Sequence, residues 1–152
     1  MNMKKLCARA KYLKNGNLKL TEDLIYYNPK FVGVYFKNNE FEIISGTITI
    51  YKGFEWNGCS FARDGKRDEF GLPASWMASC VHDCLYRYLH KLKNLKCKLI
   101  RIQCDSIFYD LLVSVNFKFL GIPACTLYYI GVRLGGGIAL YLSRKFKLAR
   151  GI

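Results

Sequence analysis

Histidine is scarce in this sequence: His82 and His90 are the only two, which excludes a site built from several imidazoles. Seven cysteines are present, at 7, 59, 80, 84, 97, 104 and 125, but none forms a C-x-x-C pair, so a structural zinc site is not expected. An odd count leaves at least one thiol unpaired, and reduced cysteines in a cytosolic setting are the expectation. Acidic residues are also few, 11 against 24 Lys and Arg, which leaves a formal net charge of +13. The chain has no uninterrupted apolar run of the roughly 20 residues that a bilayer-spanning helix needs.

The length of 152 residues suits one domain, spanning 1–152, that buries roughly two-thirds of the surface its unfolded chain exposes. The N-terminus is Lys-rich, and the stretch 18–27 is too polar and too short for the apolar core of a signal peptide, so classical secretion is not expected. An α+β chain is predicted: β-rich over about 1–53, a loop over 54–72, and helical over about 73–150. Residues 31–36 and 41–51 are rich in aromatic and β-branched types. They are separated by Lys37-Asn38-Asn39-Glu40, and Thr47-Ile48-Thr49-Ile50 alternates with period two. A hairpin or small antiparallel sheet follows from that pattern.

Downstream, Pro73 suits a first helical turn, and neither Gly nor Pro interrupts 74–93. A second helix is predicted over 99–115, where Ile107, Phe108, Leu111, Leu112 and Val115 recur at spacings of three and four. The basic segment 91–98, containing Asn94, reads as the turn of an antiparallel helix pair. His82 lies 12 residues before Asn94 and Asp105 lies 11 after it. At about 1.5 Å rise per residue they stand at nearly the same height and can meet across the pair.

Those residues define a candidate site. His82 and Tyr86 are i and i+4 neighbours on one helix face, with Asp83 about 100° around from His82. A carboxylate at Asp105 could fix the tautomer of His82 and leave its other nitrogen to take a proton from water. Blander readings stand beside this one. A buried His bonded to an Asp is common structural material. Asp83 and Arg87 could form an i, i+4 surface pair, Tyr86 could be core with a satisfied hydroxyl, and His90 suits a solvated turn.

The order Asn57-Gly58-Cys59-Ser60, then His82-Asp83 with Tyr86, then Cys104-Asp105 resembles the secreted-type phospholipases A2 over about residues 54–115. Gly53-Phe54, 57–60, 82–87, 105–109 and the Val-Arg-Leu-x-Gly at 132–136 resemble a domain of unknown function common in tailed-phage genomes. This second match is closer and covers about 50–137. The phospholipase resemblance implies His82 as general base, Asp105 as its orienting partner and Tyr86 as a phenol steadying Asp105. It further implies a calcium ion held by Asp83 with Ser60, Ala62 and Asp64, polarising an ester carbonyl. Two departures stand out. Phe61, Ala62 and Asp64 occupy a loop that the family builds with glycine, and Cys80 and Cys84 do not align with the family's disulfides.

The C-terminal third has no charge from 119 to 132. Pro123 is placed to open an apolar helix, which Arg133 and Gly135-Gly136-Gly137 interrupt. A packed core helix with a break is the expectation, with a membrane span as the alternative and contact at a membrane surface as a further reading. The charge of +13 favours an anionic partner. A phospholipid or other anionic membrane surface fits best, with phage virion proteins as further partners. Nucleic acid ranks lower, because charge alone speaks for it. The function expected is a phage-encoded, calcium-assisted lipid acyl-ester hydrolase in the host cytoplasm or on the virion, peripheral to membranes. A non-enzymatic phage structural or host-interaction protein on the same scaffold is the other reading. A metal-dependent phosphohydrolase of the His-Asp type would need more histidines.

Overall fold

The computed structural model describes residues 8–58, 72, 75–92, 94, 101–113, 118–119, 122–123, 126, 129–131 and 133–134. Its architecture is α+β, with antiparallel sheets of N-terminal strands followed by helices. Strands β1 (Ala10–Tyr12), β2 (Leu18–Leu20) and β7 (Glu55–Trp56) form a three-stranded sheet in the order β1-β2-β7. Strands β3 (Leu24–Tyr27), β4 (Tyr35–Lys37), β5 (Phe41–Ile44) and β6 (Thr47–Ile50) form a four-stranded sheet in the order β3-β6-β5-β4.

The four-stranded sheet contains the predicted hairpin and more. Tyr35 pairs with Ile44 and Lys37 with Glu42 across the β4–β5 hairpin, where Asn38 Oδ1 accepts from the backbone N–H of Glu40 and Phe41. Phe31, expected at the start of a strand, instead ends a 3₁₀ turn, Pro29–Phe31, whose N-cap Asn28 accepts from the Lys30 N–H. Proline has no N–H to place in a ladder and suits the first position of such a turn. The run 41–51, read as one strand, is folded on itself at Ser45-Gly46, so that Ile44 pairs with Thr47 and Ile43 with Ile48. Ser45 has φ 46° and Gly46 φ 93°, the positive values that a two-residue hairpin turn demands. Period-two alternation survives the turn: Phe41, Ile43, Ile48 and Ile50 all point into the core.

Helix α1 (Trp76–Arg87) is buried on most of its circumference, including Ala78, Cys80, Val81, Cys84 and Leu85, because it lies between the sheets and α3 (Arg101–Val113). The Trp56 ring of β7 packs at a tilt against Trp76, with centroids 6.2 Å apart, and its Nε1–H donates to Ser79 Oγ at 3.0 Å. At the other end, Tyr88 packs on Phe41, with centroids 5.1 Å apart, and its hydroxyl donates to Glu40 at 2.5 Å. Tyr88 leaves helical geometry there, so the helix expected to run through 93 breaks and resumes as the short α2 (Leu89–Leu92). Tertiary contacts of one aromatic outweigh a run of good helix formers.

Advancing along α1 from His82 to Tyr86 moves back along α3 from Asp105 to Arg101, which is the antiparallel arrangement expected. The C-terminal apolar helix differs. Pro123 does not open a helix; it lies in β9 (Ile122–Pro123), paired with β8 (Lys118–Phe119) in a two-stranded ribbon, where a residue without an N–H is tolerated at an edge. Residues 126, 129–131 and 133–134 are helical, and the remainder of that expected helix lies outside the described residues. Among the described residues no helix is long and apolar enough to cross a membrane.

The Ser45-Gly46 turn sets the register of the larger sheet. A Cβ at Gly46 would stand 2.7 Å from the Tyr27 ring as well as in a backbone region hostile to side chains. Gly46→Ala is expected to lower stability by on the order of 1–3 kcal/mol, read as a lower urea midpoint with an unchanged slope.

Candidate active site

Asp105 on α3 has no exposed surface, and its two oxygens divide their partners. Oδ1 lies 3.1 Å from His82 Nε2 and accepts the Tyr86 hydroxyl at 2.8 Å. Oδ2 accepts Arg133 Nη1 at 3.1 Å and lies 3.7 Å from Arg101 Nε, its i, i+4 neighbour. Arg101 Nε donates to the Tyr86 hydroxyl at 2.8 Å, and its Nη2 donates to the Arg133 carbonyl. Helix spacing explains the first set: the buried stripe of α3 (Cys104, Asp105, Phe108, Leu112) meets the stripe of α1 that carries His82 and Tyr86. The His82 ring packs against Phe108 at 4.8 Å and Tyr86 at 4.3 Å between centroids, so its orientation is held by apolar contact as well as by hydrogen bonds.

An ionised carboxylate accepts only, so the proton between His82 and Asp105 resides on Nε2. In the neutral ring, Nδ1 is then the basic nitrogen. It faces Asp83 Oδ1 at 3.4 Å, and Asp83 and Tyr86 both line an open cleft of about 460 Å³. The opposite wall is Glu55, Trp56 and Asn57 at β7. Arg87 closes one side, held by Glu40 at 2.9 and 3.0 Å, by the Glu55 carbonyl at 2.6 Å, and over the Phe54 ring at 4.4 Å. Arg87 thus engages Glu40 rather than forming the surface pair with Asp83 that the spacing allowed.

Burial disfavours the His82 imidazolium, but the hydrogen bonds of Asp105 and Asp83 and their negative charges outweigh it, raising its pKa above 6.5. Burial likewise opposes ionisation of Asp105, and donation from His82, Tyr86 and Arg133 overcomes it, so its pKa falls below 3.8. Burial, then the hydrogen bond to Asp105, push the Tyr86 phenol well above its usual value, so it remains a proton donor.

The structure therefore brings together His82, Tyr86 and Asp105, with Asp83 beside them. Ser60, Ala62 and Asp64, the other expected calcium ligands, lie outside the described residues. Asp83 is a hard oxygen donor at the cleft, of the type calcium takes, but one carboxylate is short of the six to eight oxygens of its shell. Among the described residues no cluster of three or more His, Cys, Asp or Glu could hold a metal ion. Cys80, Cys84 and Cys104 are buried, and burial raises the thiol pKa values of Cys80 and Cys84, as suits inert core thiols. His90 is exposed on α2.

Sequence reasoning missed the two arginines on Asp105. Arg101 had a local signal, its i, i+4 spacing. Arg133 had a weaker one: a lone charge at the end of an uncharged run needs a partner if it is not in water. Comparisons of the chain with protein-family models, curated proteins and solved structures give no match.

The two shifts define a pH window. The contribution of His82 is complete below its unfolded value of about 6.5 and is lost as pH rises through the higher folded value. That of Asp105 is complete above about 3.8 and is lost as pH falls through the lower folded value. Chemical denaturation from pH 3 to 9 is expected to give greatest stability from the pair at about pH 4–6.5, a maximum that flattens in Asp105→Asn.

Proposed function

We propose that this chain is a phospholipase A2-like hydrolase that cleaves acyl esters of lipids at an anionic membrane surface, and that it is a tailed-phage protein acting in the host cytoplasm or on the virion. One observation carries the chemistry: His82 Nε2 is 3.1 Å from the fully buried Asp105, while Nδ1 faces Asp83 at the wall of an open cleft. Asp105 holds the Nε2–H tautomer, and Tyr86 and the arginines hold Asp105. Nδ1 of the neutral ring takes a proton from a water at the cleft, and the water oxygen attacks the ester carbonyl carbon. The imidazolium then returns that proton to the leaving alkoxide as the acyl–oxygen bond breaks, giving a fatty acid and a lyso-lipid. Asp83 would hold the calcium, which when bound supplies polarisation of the carbonyl and stabilisation of the oxyanion. The net charge of +13 supports an anionic lipid surface as the place of action.

A specific observation also favours a second, non-enzymatic reading as a phage structural or host-interaction protein. Nε2 of His82 and both Asp105 oxygens already have partners within the protein, and Nδ1 gains Asp83 as a partner once the ring is protonated, as a purely structural polar network requires.

Fatty-acid release from mixed phosphatidylglycerol and phosphatidylcholine vesicles distinguishes the two. Wild type is expected to release fatty acid with calcium and not with chelator, with lower rates at high salt as surface charge is screened. His82→Gln should lose about 10²- to 10⁴-fold in rate while remaining folded. Wild-type release no greater than that of His82→Gln in any of these conditions overturns the hydrolase in favour of the scaffold.

A further inference from the structure

Asp105 can orient His82 only if the carboxylate itself cannot turn. A carboxylate rotates about its terminal bond over a broad, shallow profile, so its direction is set by what holds the oxygens. Oδ1 has His82 and Tyr86, both on α1. The planar carboxylate turns as one body about its Cβ–Cγ bond, so a bond at the other oxygen resists the same turn, and that other oxygen is taken from a third direction. Arg133, 28 residues further along the chain, donates Nη1 to Oδ2 at 3.1 Å. Arg101 then ties this support to the rest, with its Nε on the Tyr86 hydroxyl and its Nη2 on the Arg133 carbonyl. Backbone and side chain of Arg133 are therefore both engaged in one polar unit around a carboxylate with no exposed surface.

Resting on the hydrolase reading for its kinetic arm, we propose that Arg133 is a positioning residue for His82: it fixes Asp105 through Oδ2 so that Oδ1 holds the Nε2–H tautomer and Nδ1 is kept toward the cleft. The chemistry of the pairing suits the role. A guanidinium donates from a rigid plane, so it constrains the orientation of the carboxylate as well as its charge. The alternative is that Arg133 only neutralises a buried carboxylate and the direction of Asp105 is set by α1 alone. The two differ in which substitutions rescue. A group that holds position can be replaced in part by a neutral hydrogen-bond donor, whereas a group that supplies charge alone cannot.

The test compares the full-length chain with Arg133→Met, Arg133→Gln and Arg133→Lys, after circular dichroism has established that each is folded. Arg133→Gln keeps a donor without charge, and Arg133→Lys keeps charge without the planar fork. Two readouts are taken. The first is the tautomer of His82 from ¹⁵N shifts of its ring nitrogens, assigned by difference with His82→Gln, which requires no activity. The wild type is expected to show the Nε2–H form, Arg133→Met a mixture of tautomers, and Arg133→Gln recovery of the Nε2–H form. The second is vesicle hydrolysis, where Arg133→Met is expected to lower kcat by about 10- to 100-fold, as loss of an outer supporting hydrogen bond does, with KM within about twofold, and Arg133→Gln to restore most of it. Folded Arg133→Met with the wild-type ¹⁵N pattern overturns the proposal, as does recovery by Arg133→Lys and not by Arg133→Gln. If wild type hydrolyses no vesicle lipid, the hydrolase reading fails by itself, and the tautomer series still decides the role of Arg133. Should Arg133→Met not fold, the comparison of Arg133→Gln with Arg133→Lys decides it on the same criteria.

Discussion

Asp105 is removed entirely from water, and an uncompensated buried carboxylate costs several kcal/mol. Its compensation comes from three parts of the chain: hydrogen bonds from His82 and Tyr86 on α1 and from Arg133 beyond the β8–β9 ribbon, and the nearby charge of Arg101 on its own helix. Once the carboxylate is buried and ionised, the rest of the site follows. The proton on His82 must face it, the other nitrogen must face away, and the phenol of Tyr86 must donate rather than accept at that bond. Fully satisfied polar networks of this kind specify one arrangement of the elements around them, because any other leaves a charge unpaired in a dry interior.

The sheets position that network without entering it. Trp56 of the small sheet meets Trp76 and Ser79 near the start of α1, and Phe41 of the large sheet, with Glu40 of its β4–β5 turn, holds Tyr88 and Arg87 at its end. Fixing a 12-residue helix at both ends sets its rotation, and rotation decides that His82 turns toward α3 while Asp83 turns toward the cleft. The β7 residues that anchor the helix are also those that form the opposite wall of the cleft. The shape of the cleft and the orientation of the helix thus depend on the same short strand.

The parts legible in sequence were those governed by a local period. Height along a helix pair requires only the rise per residue and the place of the turn, and it put His82 opposite Asp105. Alternation placed Phe41, Ile43, Ile48 and Ile50 on one face even though the Ser45-Gly46 turn between them went unread. Short strands of two to four residues at 10–12, 18–20, 24–27 and 55–56 carry too little pattern to separate from loop. The break at Tyr88 and the strand at Pro123 were decided by tertiary contacts and edge pairing, which local propensity does not encode. Arg133 was visible only as a charge in the wrong place, since its partner lies 28 residues away in sequence.

The central claim is that a buried, ionised Asp105 holds the proton of His82 on Nε2 and keeps Nδ1 toward Asp83, which lines the cleft. Neutron diffraction from crystals exchanged into deuterated buffer above the pKa of His82 locates that proton directly. The account predicts nuclear density for deuterium on Nε2, directed at Asp105 Oδ1, with none on Asp105 and none on Nδ1. Deuterium on Nδ1 with a bare Nε2, or on the Asp105 carboxyl, would contradict it.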